Sequence, residues 1–108
     1  MIRRVAVTTL TLLLATTAIA CCDDKALPKA LRDLYSDKPS EKNKALLLIA
    51  KCGERAESAV PRINQLMYDE NVGVASSAAY ALRSIDTKSA RNALKAAEQA
   101  RAANRAKR

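Results

Sequence analysis

Histidine, tryptophan and phenylalanine are all absent from this sequence, and its only aromatic residues are Tyr35, Tyr68 and Tyr80. Without an imidazole there is no histidine general base, no Ser-His or Cys-His pair, and no zinc site of the kind that needs a histidine ligand. Catalysis loses its commonest means, so no catalytic residue, metal or cofactor is expected. Glycine is also scarce, with two residues, and proline has three. Helix breakers are thus few, and alanine and leucine dominate an apolar content of 49%. Good helix formers in that proportion predict an all-α protein. A chain of 108 residues is long enough for one domain.

Long apolar runs are missing too, apart from one. Arg3 and Arg4 precede Val5–Ala20, sixteen residues without charge and diluted with threonine. A membrane span needs about 20 apolar residues, so this run is short. A basic start, a short apolar centre and small residues at the end describe an export signal over residues 1–20. The next residues are Cys21 and Cys22, then Asp23 and Asp24. Ala20-Cys21, preceded by uncharged residues, resembles the lipobox of bacterial lipoproteins, though Ala18 stands where that family prefers leucine. The resemblance implies that Cys21 receives a diacylglycerol and that residues 21–25 tether the domain to a membrane. Soluble periplasmic export is the alternative. The acidic pair after the cysteines only half meets the family's retention rule, which leaves the choice of membrane open. Cys22 is read as an unpaired bystander, with a disulfide to Cys52 in an oxidising compartment as the other reading.

The residues after the signal fall into register when shifted by 33. Ala26-Leu27-Pro28 lies over Ala59-Val60-Pro61, and Leu34-Tyr35 over Met67-Tyr68. Ala45, Leu48, Ile49 and Cys52 lie over Ala78, Ala81, Leu82 and Ile85, while Leu31 over Asn64 is a mismatch. Each unit holds two helical patterns. In the second, Val60, Ile63, Leu66 and Met67 form one apolar face, and Val74, Ala78, Ala81, Leu82 and Ile85 the next. Asp69-Glu70-Asn71 is a turn between them; residues 36–40 are its counterpart, with Ser40 expected to cap the following helix. Gly53 should end that helix, and Pro28 and Pro61 suit first turns.

The stretch AVPRINQLMYDENVGVASSAAYALRSID resembles a HEAT repeat of the bilin-lyase-like subtype. Ala59, Val60, Pro61, Ile63, Leu66, Met67, Asp69, Val74, Ala78, Ala81, Leu82 and Ile85 match its pattern. The resemblance implies a short α-solenoid: units 26–57 and 58–86, a partial third from residue 87, and a domain spanning 26–97. Ala75 stands where the family has an arginine that forms a polar ladder with the aspartate, which puts the ladder in doubt. Pigment attachment occurs in some bearers of the family name, but only the repeat points to it here. So short a stack buries little surface, so that a partner or a second copy of the chain is expected to support it.

Charge is uneven. Residues 21–86 carry ten basic and ten acidic residues; residues 87–108 carry Lys88, Arg91, Lys95, Arg101, Arg105, Lys107 and Arg108 against Glu98 alone. The last helix, with its basic tail at 98–108, is read either as a solvated cap or as a contact for anionic lipid or an acidic protein. Nucleic acid is disfavoured, since an export signal precedes the domain and no aromatics interleave with the bases. On the second helix of each unit, Leu47 and Tyr80 fall opposite the buried stripe, with Lys44, Lys51 and Arg83 around them. Such a patch fits a protein or peptide of the envelope, or is ordinary surface scatter. Cys52, aligned with Ile85, is read as an inert packing residue. The expected function is that of a non-catalytic, membrane-tethered protein-binding scaffold. The runner-up is a structural protein contacting anionic lipid through its basic helix, and an accessory subunit related to pigment lyases stands third.

Overall fold

The computed structural model describes Cys22 and residues 25–108, and over these residues the protein is all-helical with no strand. The export-signal reading of residues 1–20 and the attachment reading of Cys21 lie outside the described residues. Five α-helices follow in order: α1 (Ala26–Asp33), α2 (Pro39–Cys52), α3 (Val60–Leu66), α4 (Val72–Ile85) and α5 (Lys88–Ala106), with a 3₁₀ segment at Gly53–Ala59 between α2 and α3. The boundary expected at 57/58 falls inside that segment, where Ala56 breaks the helical geometry.

The helix ends follow from local chemistry. Asn71 caps α4 by accepting from the Val74 amide at 3.0 Å, and Thr87 caps α5 by accepting from the Ala90 amide at 3.3 Å. Ser40 does not cap α2. That helix opens one residue earlier on Pro39, whose fixed φ and missing amide hydrogen suit a first helical position. Ser36 serves the turn instead, accepting from the Lys38 amide at 3.0 Å and donating to Glu41 Oε1 at 2.5 Å. Gly53 ends α2 with φ 60°, as expected, and Asp86 ends α4 with φ 51°. These two stops lie 33 residues apart and share a positive φ, although their ψ angles, −138° and 36°, differ.

Packing accounts for the apolar stripes and widens them. Val60, Ile63, Leu66, Met67, Val74, Ala78, Ala81, Leu82 and Ile85 are buried as expected. Helix α2 packs against α1 and α4, and α4 packs against α2, α3 and α5. A helix with neighbours on two sides needs a second apolar row, and Leu46, Ala50 and Ala79 supply it. Leu48, expected within the buried stripe, is only half-buried. Leu34, Leu46, Ile49, Ile63, Val74, Leu82 and Ile85 are the largest fully buried side chains. Each contributes about 1.5–3 kcal/mol of transfer free energy. The small residues Ala45, Ala50, Ala78 and Ala79 leave no bulk between α2 and its neighbours, so the helices can approach closely.

Cys22 is not a bystander. It forms a disulfide with Cys52, the Cα atoms 5.1 Å apart, and both residues are buried. Cys52 therefore lies on the buried face as expected, but as a half-cystine rather than a packing thiol. Arg55 strengthens the join by donating from Nη1 to the Cys22 carbonyl at 2.8 Å.

The connections sort to two ends of the molecule. At one end lie Cys22, the C-terminus of α2, the 3₁₀ segment and the α4–α5 junction. Ser89 Oγ donates to Glu57 Oε1 at 2.9 Å there, and a side chain at Gly53 would stand 3.8 Å from the Ser84 carbonyl. At the other end lie the turns at 34–38 and 67–71. Arg62 Nε donates to the Leu34 carbonyl at 3.1 Å, and Arg101 Nη2 to the Met67 carbonyl at 3.2 Å. Leu34 and Met67 lie 33 residues apart, and each has its carbonyl satisfied by an arginine from a later helix.

Candidate binding face

Helices α2 and α4 pack together and turn their remaining faces to solvent. Leu47 on α2 is 49% exposed and Tyr80 on α4 is 51% exposed, so both sequence-predicted anchors are accessible. Lys44, Lys51 and Arg83 are exposed around them. Ser84 Oγ, one turn on from Tyr80, donates to the Tyr80 carbonyl at 3.0 Å. Half-exposed apolar side chains with basic neighbours can give up water to an apolar partner residue while pairing with a partner carboxylate.

Lys44 also borders a shallow groove of about 200 Å³ between α1 and α2, floored by Ala30, Ala45 and Leu48. Ligand pockets for small molecules run to about 300–1,000 Å³ and enclose their ligand, so this groove suits a side chain rather than a cofactor. Among the described residues, no three of Cys, Asp and Glu gather in a way that could hold a metal ion. No described helix is long and apolar enough to cross a membrane.

The basic residues of the last helix, Lys88, Arg91, Lys95, Arg101, Arg105, Lys107 and Arg108, are all exposed. They are not equivalent. Arg91 donates to the Asp86 carbonyl at 2.7 Å and meets its Oδ1 at 3.1 Å, and Arg101 holds the Met67 carbonyl. Ala97 is the last buried residue of α5, and every residue from Glu98 onward is exposed. Helix α5 runs through the expected boundary of the basic tail at 98 without a break.

Sequence reasoning missed three arrangements. Lys42 Nζ meets Asp69 Oδ2 at 2.7 Å, with side chains only 13% and 15% exposed. Hydrogen bonds from Lys42 and from the Asn71 amide hold the Asp69 carboxyl below its ordinary value of 3.8. Lys42 lies 33 residues before Ala75, so shifting the sequence by 33 would have placed this lysine over the position where the arginine was expected. Second, Arg62 stacks over the Tyr35 ring at 4.4 Å from its centroid. Tyr35 and its equivalent Tyr68 are 66% and 58% exposed at the turn end. Third, Glu57 accepts from Thr87 and Ser89, and these bonds hold its carboxyl below 4.5.

The chain matches no protein-family model, no curated protein and no solved structure.

Proposed function

We propose that this protein is an exported lipoprotein of the cell envelope, anchored through Cys21, whose helical domain binds another protein and carries out no catalysis. Its helices form a short HEAT-like solenoid: α1 with α2, α3 with α4, and α5 as the cap. The Lys42–Asp69 pair supports that stacking, because it joins the ladder positions of successive units, with a lysine in the arginine's place. Equivalent helix stops at Gly53 and Asp86 support it as well.

The observation that carries the binding role is the exposure of Leu47 and Tyr80 at equivalent positions of neighbouring helices. A folded domain keeps large apolar groups in water at some cost, and a row of them with basic neighbours is what a partner's surface covers.

The test has two parts. Intact mass of the membrane fraction, after labelling with palmitate, should show a diacylglycerol adduct on Cys21. A photo-crosslinking residue at Tyr80 should then yield one defined protein adduct, lost on Leu47→Ser. Adducts of every size, unchanged by Leu47→Ser, would mean the patch is surface scatter.

A further inference from the structure

The Cys22–Cys52 disulfide does more than join two helices' worth of chain. One peptide bond separates Cys22 from Cys21, so their Cα atoms are about 3.8 Å apart. A lipid carried by Cys21 would thus be joined to the stapled residue by a single peptide bond. Arg55 closes the join from the other side by holding the Cys22 carbonyl. We propose that this staple fixes how the domain stands on the membrane. The edge formed by the end of α2, the 3₁₀ segment and the α4–α5 junction lies against the phospholipid headgroups, and the turn end faces away. The inference rests on the lipid-anchor reading of Cys21.

The chemistry of the two ends agrees with that orientation. The stapled edge carries Lys51, Glu54, Arg55, Glu57, Asp86, Lys88 and Arg91, a mixed polar surface of four bases and three acids. It bears none of the five exposed large apolar side chains. It can thus rest among headgroups without inserting, while the acyl chains supply the affinity. Tyr35, Tyr68 and Val72 sit at the opposite end, and Leu47 and Tyr80 lie about 7–8 Å up their helices from the stapled ends of α2 and α4, at 1.5 Å per residue.

Helix α5 starts at the stapled edge and runs past the Met67 turn. Its 19 residues span about 28 Å, so Arg105, Lys107 and Arg108 are carried away from the bilayer. The basic tail in this orientation is a surface for water-borne partners and not a second lipid contact.

The absence of tryptophan makes the test direct. Single reporters Glu54→Trp, Tyr68→Trp and Asn104→Trp would be placed in the mature lipidated protein, reconstituted in phosphatidylglycerol–phosphatidylethanolamine vesicles containing lipid with a nitroxide on its headgroup. The nitroxide quenches over about one side-chain length, so Glu54→Trp should be quenched at least twofold more than the other two. Equal quenching at all three, or stronger quenching at Asn104→Trp, overturns the orientation. On the unaltered chain, amine labelling should slow at Lys51 and Lys88 on vesicles relative to detergent and stay constant at Lys107; the reverse pattern also overturns it. Intact mass separates the two levels. A mature chain without lipid on Cys21 sinks the anchor reading and the orientation together, whereas a lipidated chain with the reversed pattern sinks the orientation alone.

Discussion

Lys42 and Asp69 meet across 27 residues of chain, at 2.7 Å, in a site where neither side chain is more than 15% exposed. The pair ties the start of α2 to the turn between α3 and α4. Taking either charge away leaves the other partly desolvated, which costs more than an exposed ion pair returns. Lys42→Met should lower unfolding free energy by about 1–3 kcal/mol, and the Lys42→Met/Asp69→Asn double variant should recover part of that loss. Denaturant titration of the four proteins in the cycle checks it; strictly additive losses would show that the two residues do not interact.

The same pair sets a pH dependence. The carboxyl of Asp69 is held below its ordinary value of 3.8 in the folded chain, chiefly by Lys42. A depressed carboxyl stabilises the fold above the unfolded value, and that contribution disappears as pH falls through the folded value. Stability should therefore decline on acidification below about pH 4. In Lys42→Met the decline should be shallower, because the main cause of the depression is gone. Parallel acid titrations followed by circular dichroism measure the difference; identical acid limbs contradict it.

Much of this fold could be read from the sequence. A 33-residue shift of class, not identity, located the helices and their buried faces, and the glycine at 53 marked one stop, while the stop at Asp86 was not read. What it could not locate were contacts that depend on direction. Leu46 and Ala79 belong to a row that exists only because α2 and α4 each have neighbours on two sides. The Cys22–Cys52 bond depended on whether residue 22 turned back along α2, and nothing in the spacing of two cysteines decides that. In the candidate site, the exposure of Leu47 and Tyr80 followed from helical angle alone, whereas the Arg62–Tyr35 stack needed the relative placement of α1 and α3.

Gly53 and Asp86 end equivalent helices but differ in what they tolerate. Asp86 has ψ 36°, within the left-handed helical well that aspartate can occupy, and Gly53 has ψ −138°, a region open to glycine almost alone. Gly53→Ala should therefore destabilise the protein by about 1–3 kcal/mol even though space for a methyl exists, and Asp86→Ala should cost less. Thermal melts that rank the two the other way would reject the explanation.

Breaking the disulfide should loosen the first helix pair more than the rest. The bond closes a loop with a sequence separation of 30, worth about 3–4 kcal/mol by chain entropy. Helix α1 has eight residues and buries only Ala30 fully along its length, so it depends on being held at both ends. In Cys22→Ser/Cys52→Ser, amide hydrogen exchange should accelerate most in residues 26–33, with α4 the least affected, since α4 keeps its contacts to α2, α3 and α5. Uniform acceleration along the chain would mean that the bond stabilises the fold as a whole and not the N-terminal unit. Exchange that rises only at residues 26–33, with the α4 amides still protected, would show that the α2–α4 packing persists without the staple.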